Sequence, residues 1–396
     1  MHRFLICRLI VLVALLGTLT HAGRVLAQED PKRPPAMETE NVPPVPDKLW
    51  DQLRQFRNVR SASFEDWSPD GNGILIQTRF GATSQLHRVY EPGGRRQQVT
   101  FFEEPASGQF LPGSSEGELL ISMAAGGNEQ YQVHLSSHNG GSTTLLTDGT
   151  SRNLLGPVRH DGLFALVTNN SRNGKDTDLY IIDPNRPGER ERILETDGEY
   201  WIPESWSRDG SKVLIRHYIS INECRAAVLE VASGTKTLLP VPGDSEKTAY
   251  GTLAFANDGK SAFVSCDGVS EFRQLARIDL STMTYEWLSS DIPWDVEEVA
   301  VAPPGRFLPS DGLVAFTVNE DGGSALYLLL GTQTQRIELP LGVIQSLKFS
   351  PEGNQLGFTL SRATESSDVY SLSLVDGELT RWTYSETGGL DTERFV

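Results

Sequence analysis

Few residue groups in this sequence have the types and spacing that chemistry needs. Gly113-Ser114-Ser115-Glu116-Gly117 satisfies G-x-S-x-G, the pattern of a serine nucleophile elbow. That pattern works where a strand feeds a sharp turn into a helix, with the serine beside an oxyanion hole. Here the segment leads into Glu118-Leu119-Leu120-Ile121, a strand-like run, so Ser115 is read as a decoy. A triad also needs an oriented histidine and a carboxylate. The histidines after Ser115 are His134, His138, His160 and His217, all expected within packed or surface strand units. Glu297-Glu298 sets two carboxylates side by side, which suits an ammonium group. Its place on an inner strand favours simple solvation at a strand edge, so both are rejected as site residues. Asn169-Asn170-Ser171 matches a glycosylation acceptor, relevant only in a host that glycosylates exported proteins. No phosphate loop stands out, and no Cys/His cluster tight enough for zinc. The expectation is no catalytic residue, no cofactor and no metal.

The elements that must carry these residues are repeats. Phe64-Glu65-Asp66-Trp67-Ser68-Pro69-Asp70-Gly71 leads into Ile74-Leu75-Ile76, and Trp206-Ser207-Arg208-Asp209-Gly210 into Val213-Leu214-Ile215. Phe255-Ala256-Asn257-Asp258-Gly259 and Phe349-Ser350-Pro351-Glu352-Gly353 behave alike, with weaker copies around Gly117, Gly162 and Gly312. The seven glycines recur at a mean spacing of about 47 residues. Ser-Pro-Asp-Gly suits a type I turn, proline pre-setting φ at the second position and glycine closing the fourth. A third strand follows each pair, at Leu86–Tyr90, Tyr131–Leu135, Leu179–Asp183, Ala226–Val231, Leu275–Leu280, Leu326–Leu330 and Val369–Leu374. A polar turn and a fourth strand complete the unit, as in Gly93–Thr100 and Gly377–Thr383. Four antiparallel strands at a period in the forties spell a propeller blade. The fold class is therefore all-β, a seven-bladed β-propeller of four-stranded blades. Each blade uses consecutive sequence, from an inner strand at Ser61–Trp67 to an outer strand at Leu379–Trp382. Ring closure is accordingly expected from blade packing rather than backbone pairing.

Composition agrees. The chain has 396 residues, 38% hydrophobic and 22% charged, and Gly 37 with Pro 22 exceed the usual ~12% for the pair. Net charge is −17, with no basic run, which argues against a nucleic-acid or anionic-membrane partner. His2, Arg3 and Arg8 precede an apolar stretch from Leu9 to Leu19, with small residues at Ala22 and Ala27, the order of a secretory signal peptide. Residues 1–27 are read as that signal, which implies export to the periplasm or medium. The apolar core is shorter than the ~20 residues a membrane span needs. Residues 28–47 are a Pro-rich, charged lead-in that cannot bury enough surface to order itself. Residues 48–396 hold the propeller, with helix confined to a piece around Lys48–Gln55. Beyond the signal only Cys224 and Cys266 remain, and two thiols do not make a disulfide framework in a chain this large. Two separate buried thiols and one bridge both remain open.

These repeats and the phrases between them resemble the N-terminal propeller of prolyl oligopeptidase family serine peptidases, in the acylaminoacyl-peptidase-like branch. The phrases are Asp66 to Gly71, Thr78-Arg79-Phe80-Gly81, Gln85-Leu86-His87, Pro92-Gly93-Gly94, Val99-Thr100-Phe101, Gly126-Gly127-Asn128-Glu129, Val318 to Gly322 and Ser385 to Val396. Their order covers about residue 48 to the end. The resemblance implies a lid or size filter that admits short peptides to a hydrolase domain. In that family the hydrolase domain follows the propeller, whereas this chain stops at Val396, where the crossing would come. The expected function is thus a non-catalytic propeller whose hydrolase domain was lost, encoded separately or missed in gene calling. Its expected partner is that domain, or a peptide or protein ligand. Two dipeptidyl-peptidase carboxylates resemble Glu297-Glu298, but there the pair lies on an insertion. A stand-alone binding propeller similar to the periplasmic TolB type is the alternative, and a propeller lyase or lactonase the third reading. A detached peptidase propeller should expose an apolar face where the hydrolase packs, whereas a stand-alone binder should be mostly polar on both faces.

Overall fold

The computed structural model describes residues 33, 37–243, 247–304 and 312–395. The segment read as an export signal lies outside the described residues, as do residues 28–32 and 34–36 of the Pro-rich lead-in. The chain divides into two units, with the break between Arg57 and Asn58. The first contains α1, Asp47–Arg57. Its Leu49 and Leu53 are exposed, and the Arg57 guanidinium stands 4.1 Å from the centre of the Trp50 ring.

The second unit is a seven-bladed propeller. Its 28 strands form seven antiparallel sheets in strict sequence order, from β1 (Ala62–Trp67), β2 (Ile74–Thr78), β3 (Gln85–Val89) and β4 (Gln97–Gln98) to β25 (Val343–Phe349), β26 (Gln355–Arg362), β27 (Glu365–Ser373) and β28 (Leu379–Arg381). Each blade is therefore an up-and-down meander. All first-to-second and third-to-fourth turns fall on one face, the turn face. All second-to-third hairpins and blade-to-blade links fall on the other, the link face.

The second strands show why apolar triplets mark the repeat. Ile74 and Ile76 pack towards blade seven with Val369 and Trp382. Leu75, on the opposite side, packs towards blade two with Phe110, Leu119 and Ile121. A strand sandwiched between two sheets is buried on both sides, so it reads as a continuous apolar run rather than an alternation. Seven such clusters fill the seven seams. Each buried Leu or Ile contributes about 1.5–3 kcal/mol.

The turns carry the repeat's second signal. All seven repeat glycines have positive φ, from +63° at Gly259 to +78° at Gly312. At Gly71 the N–H donates to the Ser68 carbonyl (2.8 Å). The Ser68 hydroxyl accepts from the Gly73 N–H (2.8 Å). Ser207 accepts in the same way from Lys212 (2.9 Å), and Ser350 from Gln355 (3.2 Å).

Third strands start within a residue of expectation in blades one, two, three and five. They start earlier in the others, at Glu223, Gly323 and Glu365. In those three blades the hairpin between strands two and three continues beyond the core onto the link face. Closure also departs from expectation. The blades are consecutive, but Val59 pairs with Thr387 in one antiparallel bridge outside the strands, supported by the Arg60 N–H donating to the Glu386 carbonyl (2.8 Å). Closure thus uses packing and a short backbone pairing together, because the segments before β1 and after β28 reach the same face.

Candidate functional site

The inner strands leave backbone donors and acceptors facing the axis, where no further strand pairs with them. Buried backbone groups need partners, and this fold supplies them from neighbouring blades. Asp66 accepts from the Phe110 N–H of blade two (3.0 Å). Ser205 accepts from Phe255 of blade five (3.2 Å). Thr359 of blade seven accepts from Phe64 (2.7 Å). Indoles work in the opposite sense, Trp206 donating to the Pro157 carbonyl (2.9 Å) and Trp67 to that of Lys348 (3.1 Å). The tryptophans of the repeat motif are thereby seam bolts as well as core.

Glu298 belongs to this set. Its carboxylate accepts from the N–H groups of Ser346 (3.0 Å) and Leu347 (2.7 Å) in blade seven. Solvation at a strand edge is therefore not its role: a bulge between Val296 and Val299 turns it onto the next blade. Glu297 accepts from the Asn319 amide (3.1 Å).

The axis itself is open. A cavity of about 580 Å³ at the turn face is lined by all seven blades, through residues such as Pro69, Pro112, His160, Arg208, Asn257, Pro304 and Pro351. A second, about 390 Å³, lies among the inner strands of blades one, two, three and seven, bounded by Glu65, Gln109, Tyr131, Leu154 and Lys348. These volumes fall in the ~300–1,000 Å³ range of small-ligand sites and cannot admit a folded domain.

Charge along the axis is mixed, with Glu65 and Asp66 set against Lys348 and Arg208. Burial pushes the Glu65 carboxyl up to about 7, against the pull of the Lys348 ammonium. Lys348 donates to the Glu65 carbonyl (2.7 Å) and lies 3.5 Å from the Asp66 carboxylate. Burial likewise raises Glu204, which Arg216 pairs at 2.7 Å. At the mouth His160 is held below its usual pKa, first by the protein packed around it and then by the Arg208 cation.

Ser115 is exposed in the turn between β5 (Ser107–Phe110) and β6 (Leu119–Met123), which is a strand-to-strand and not a strand-to-helix turn. His134 lies in β7 (Gln132–Ser136), and His217 stacks on Trp201 at 5.0 Å between ring centres. Among the described residues no group of three or more His, Cys, Asp or Glu could hold a metal ion. Cys224 and Cys266 are both free and buried. Asn169 is 1% exposed and donates to Ser151 (2.7 Å) and Asn153 (2.6 Å), so its amide is occupied inside the fold rather than offered for modification.

One further pattern escaped the sequence reading. The hydroxyls of Thr100, Thr147, Ser289 and Thr383 accept from the N–H fourteen residues earlier, on Leu86, Val133, Leu275 and Val369. The residue just before each of those donors is a buried polar one, Gln85, Gln132, Gln274 or Asp368. A recurring Gln/Asp and Thr/Ser at spacing fifteen was the signal available.

The link face is the apolar one. Tyr218, Ile219 and Ile221 crown the hairpin of β14 (Lys212–Ser220) and β15 (Glu223–Glu230), with Ile221 80% exposed. The Tyr218 N–H donates to Tyr200, itself exposed beside it (3.0 Å). Phe101, Val269 and Leu341 extend the exposed apolar surface over blades one, five and seven.

No family model matches the chain, and no curated protein does. Solved structures do. A prolyl endopeptidase structure superposes with TM-score 0.69 at 11% identity, over 88% of this chain and 53% of that one. Two structures of puromycin hydrolase, one of an S511A mutant complexed with PGG, superpose with TM-score 0.66. They are 14% and 15% identical, over 86% and 87% of this chain and 56% of theirs. The likeness to the propeller of prolyl oligopeptidase-type enzymes therefore holds at the level of fold, and this chain spans little more than half the length of those structures.

Proposed function

We propose, from that shared fold, that this propeller is a substrate gate without catalytic residues of its own, working with an α/β-hydrolase domain carried elsewhere in sequence or on a separate chain. The observation that carries the reading is the division of labour between the faces. The turn face holds a mouth of about 580 Å³ leading to an axis of mixed charge, a passage of a size suited to short peptides. The link face exposes Tyr200, Tyr218, Ile219 and Ile221 in one cluster, the kind of patch that marks a docking surface. Both segments that flank the ring, at Val59 and Thr387, meet on that same face. A hydrolase docked there receives only what passes through or around the ring. The N-terminal segment is consistent with an exported enzyme.

The test begins with sequencing the native locus beyond the codon for Val396, then pairing the propeller with any hydrolase segment found. The isolated propeller should hydrolyse no chromogenic dipeptide, and the pair should hydrolyse short peptides while sparing a folded protein. Turnover by the isolated propeller that vanishes in Ser115→Ala would overturn the reading. A soluble propeller that captures an exported protein with no hydrolase at the locus would point to the stand-alone binder instead.

A further inference from the structure

Arginines that this fold draws inward are paired with carboxylates. Arg172 meets Asp178 at 2.7 Å, Arg216 meets Glu204 at 2.7 Å, and Arg381 meets Asp368 at 2.6 Å. Arg88 breaks the pattern. It is 8% exposed on β3, with its guanidinium carbon 4.8 Å from the centre of the Phe110 ring. One terminal nitrogen donates to the Gly117 carbonyl, while its Nε is buried without a partner. No carboxylate among the described residues lies within ion-pair distance of it. Burial disfavours the Arg88 cation, and the Tyr90 hydroxyl and the Asp70 charge only partly offset this; no carboxylate touches it, so the site lacks a contacting anion.

The guanidinium lines a cavity of about 430 Å³ between blades one and two. Gly117 makes the arrangement possible: a Cβ there would lie 3.2 Å from both terminal nitrogens. The far wall is the Gly113–Gly117 turn, the G-x-S-x-G segment that has no catalytic setting. Pro69, Phe110 and Gly113 line both this cavity and the axial mouth, so the two are adjoining.

We propose that this cavity is a carboxylate exosite, which takes the C-terminal carboxylate of a short peptide ending in an apolar residue, beside the axial mouth. The planar guanidinium fork matches a carboxylate, and Phe110, Pro69 and Tyr90 supply apolar wall for the last side chain. Asp70 lines the same cavity, its carboxylate bonded to the Ser68 hydroxyl and the Asn72 N–H. Glu116 lines it too, and these two nearby charges disfavour a phosphate dianion more than a single carboxylate. The peptide identity rests on the gating function above, whereas the carboxylate chemistry rests on Arg88 alone.

The experiment is calorimetric titration of the full chain with N-acetyl-phenylalanine and with its amide. The acid should bind at least about tenfold more tightly than the amide, as expected for a charge-assisted bond. Arg88→Gln should remove that difference while leaving amide binding unchanged. If Arg88→Gln does not fold, Ser115→Asp serves, since it adds a further carboxylate beside Glu116 on the exposed turn without touching the core, and it should also abolish the preference for the acid. Equal affinity for acid and amide, or an acid preference that survives both substitutions, overturns the proposal. Inorganic phosphate binding more tightly than the acid overturns the ligand class. No hydrolase takes part in this readout, so failed gating with intact acid binding would strike the functional reading and leave the exosite standing.

Discussion

The turn face and the link face are built from the same blades and follow opposite rules. On the turn face seven glycines share one conformation, and serine hydroxyls close the turns in blades one, four and seven. On the link face the connections differ in length, three hairpins run past the core, and aromatic and aliphatic side chains stand in solvent. Exposed apolar residues on the turn face, such as Leu163 and Val375, are scattered singly over different blades. A repeated turn is tied to its neighbour by geometry and tolerates little change. A link has only to span a gap, so it is where a partner's surface can be written. The lesson is that the periodic part of the propeller carries stability, while the aperiodic part is free to vary and holds the exposed apolar cluster on which the proposed docking rests.

Substitutions that add a Cβ on the turn face should break this contrast most strongly. Gly162 has φ +73°, and a Cβ there would fall 1.9 Å from the Pro112 carbonyl oxygen of blade two. Gly162→Ala should therefore cost about 3 kcal/mol or more, since it adds a clash to a strained backbone. Chemical denaturation should show it, and an unchanged midpoint would detach turn geometry from stability.

Seam latches come next. Glu298→Ala leaves the Ser346 and Leu347 N–H groups without their acceptor and should cost about 1–3 kcal/mol. Amide exchange at those two residues should rise selectively, whereas uniform exchange across all blades would argue against a local latch.

Glu65 sharpens the contrast through pH. Its folded pKa of about 7 lies above the ordinary carboxylate value, so the folded state holds a proton that the unfolded state has lost. Stability should fall as pH rises from about 4.5 to about 7 and level off above that. Glu65→Gln should remove this slope, gaining about 1–3 kcal/mol over the parent at pH 8 and nothing at pH 4. Parallel pH profiles for the two proteins would rule the effect out.

The smallest stability effect belongs to the link face. Ile221→Ser should shift stability by no more than about 0.5 kcal/mol, as for an exposed side chain. On the proposed function, the same change should weaken docking of the hydrolase, read by sedimentation of the pair. A stability loss equal to that of Gly162→Ala would erase the distinction between faces.

How legible this was depends on the interaction involved. Trp67, Ser68 and Gly71 could be placed from sequence because turn and strand preferences act over a few residues and recur seven times. Glu298 could not, because its partners in blade seven lie almost fifty residues away and nothing local distinguishes a latch from a solvated carboxylate. The co-occurrence of Gln85 with Thr100, and of Gln132 with Thr147, was readable in principle, since it recurs at constant spacing within a blade. Arg88 shows the limit most clearly. A basic residue on a third strand looks solvent-facing until Phe110 and Gly117 of the next blade close over it.

From sequence alone came the period, the number of blades, the turn chemistry and the apolar strands, because each follows from local backbone preference and burial on a repeating unit. Tertiary structure alone decided which polar groups became seam latches, how the ring closed through Val59 and Thr387, which face kept its apolar side chains exposed, and where a buried cation was left without a carboxylate in contact. Those outcomes depend on contacts between residues in different blades, where no local preference reaches.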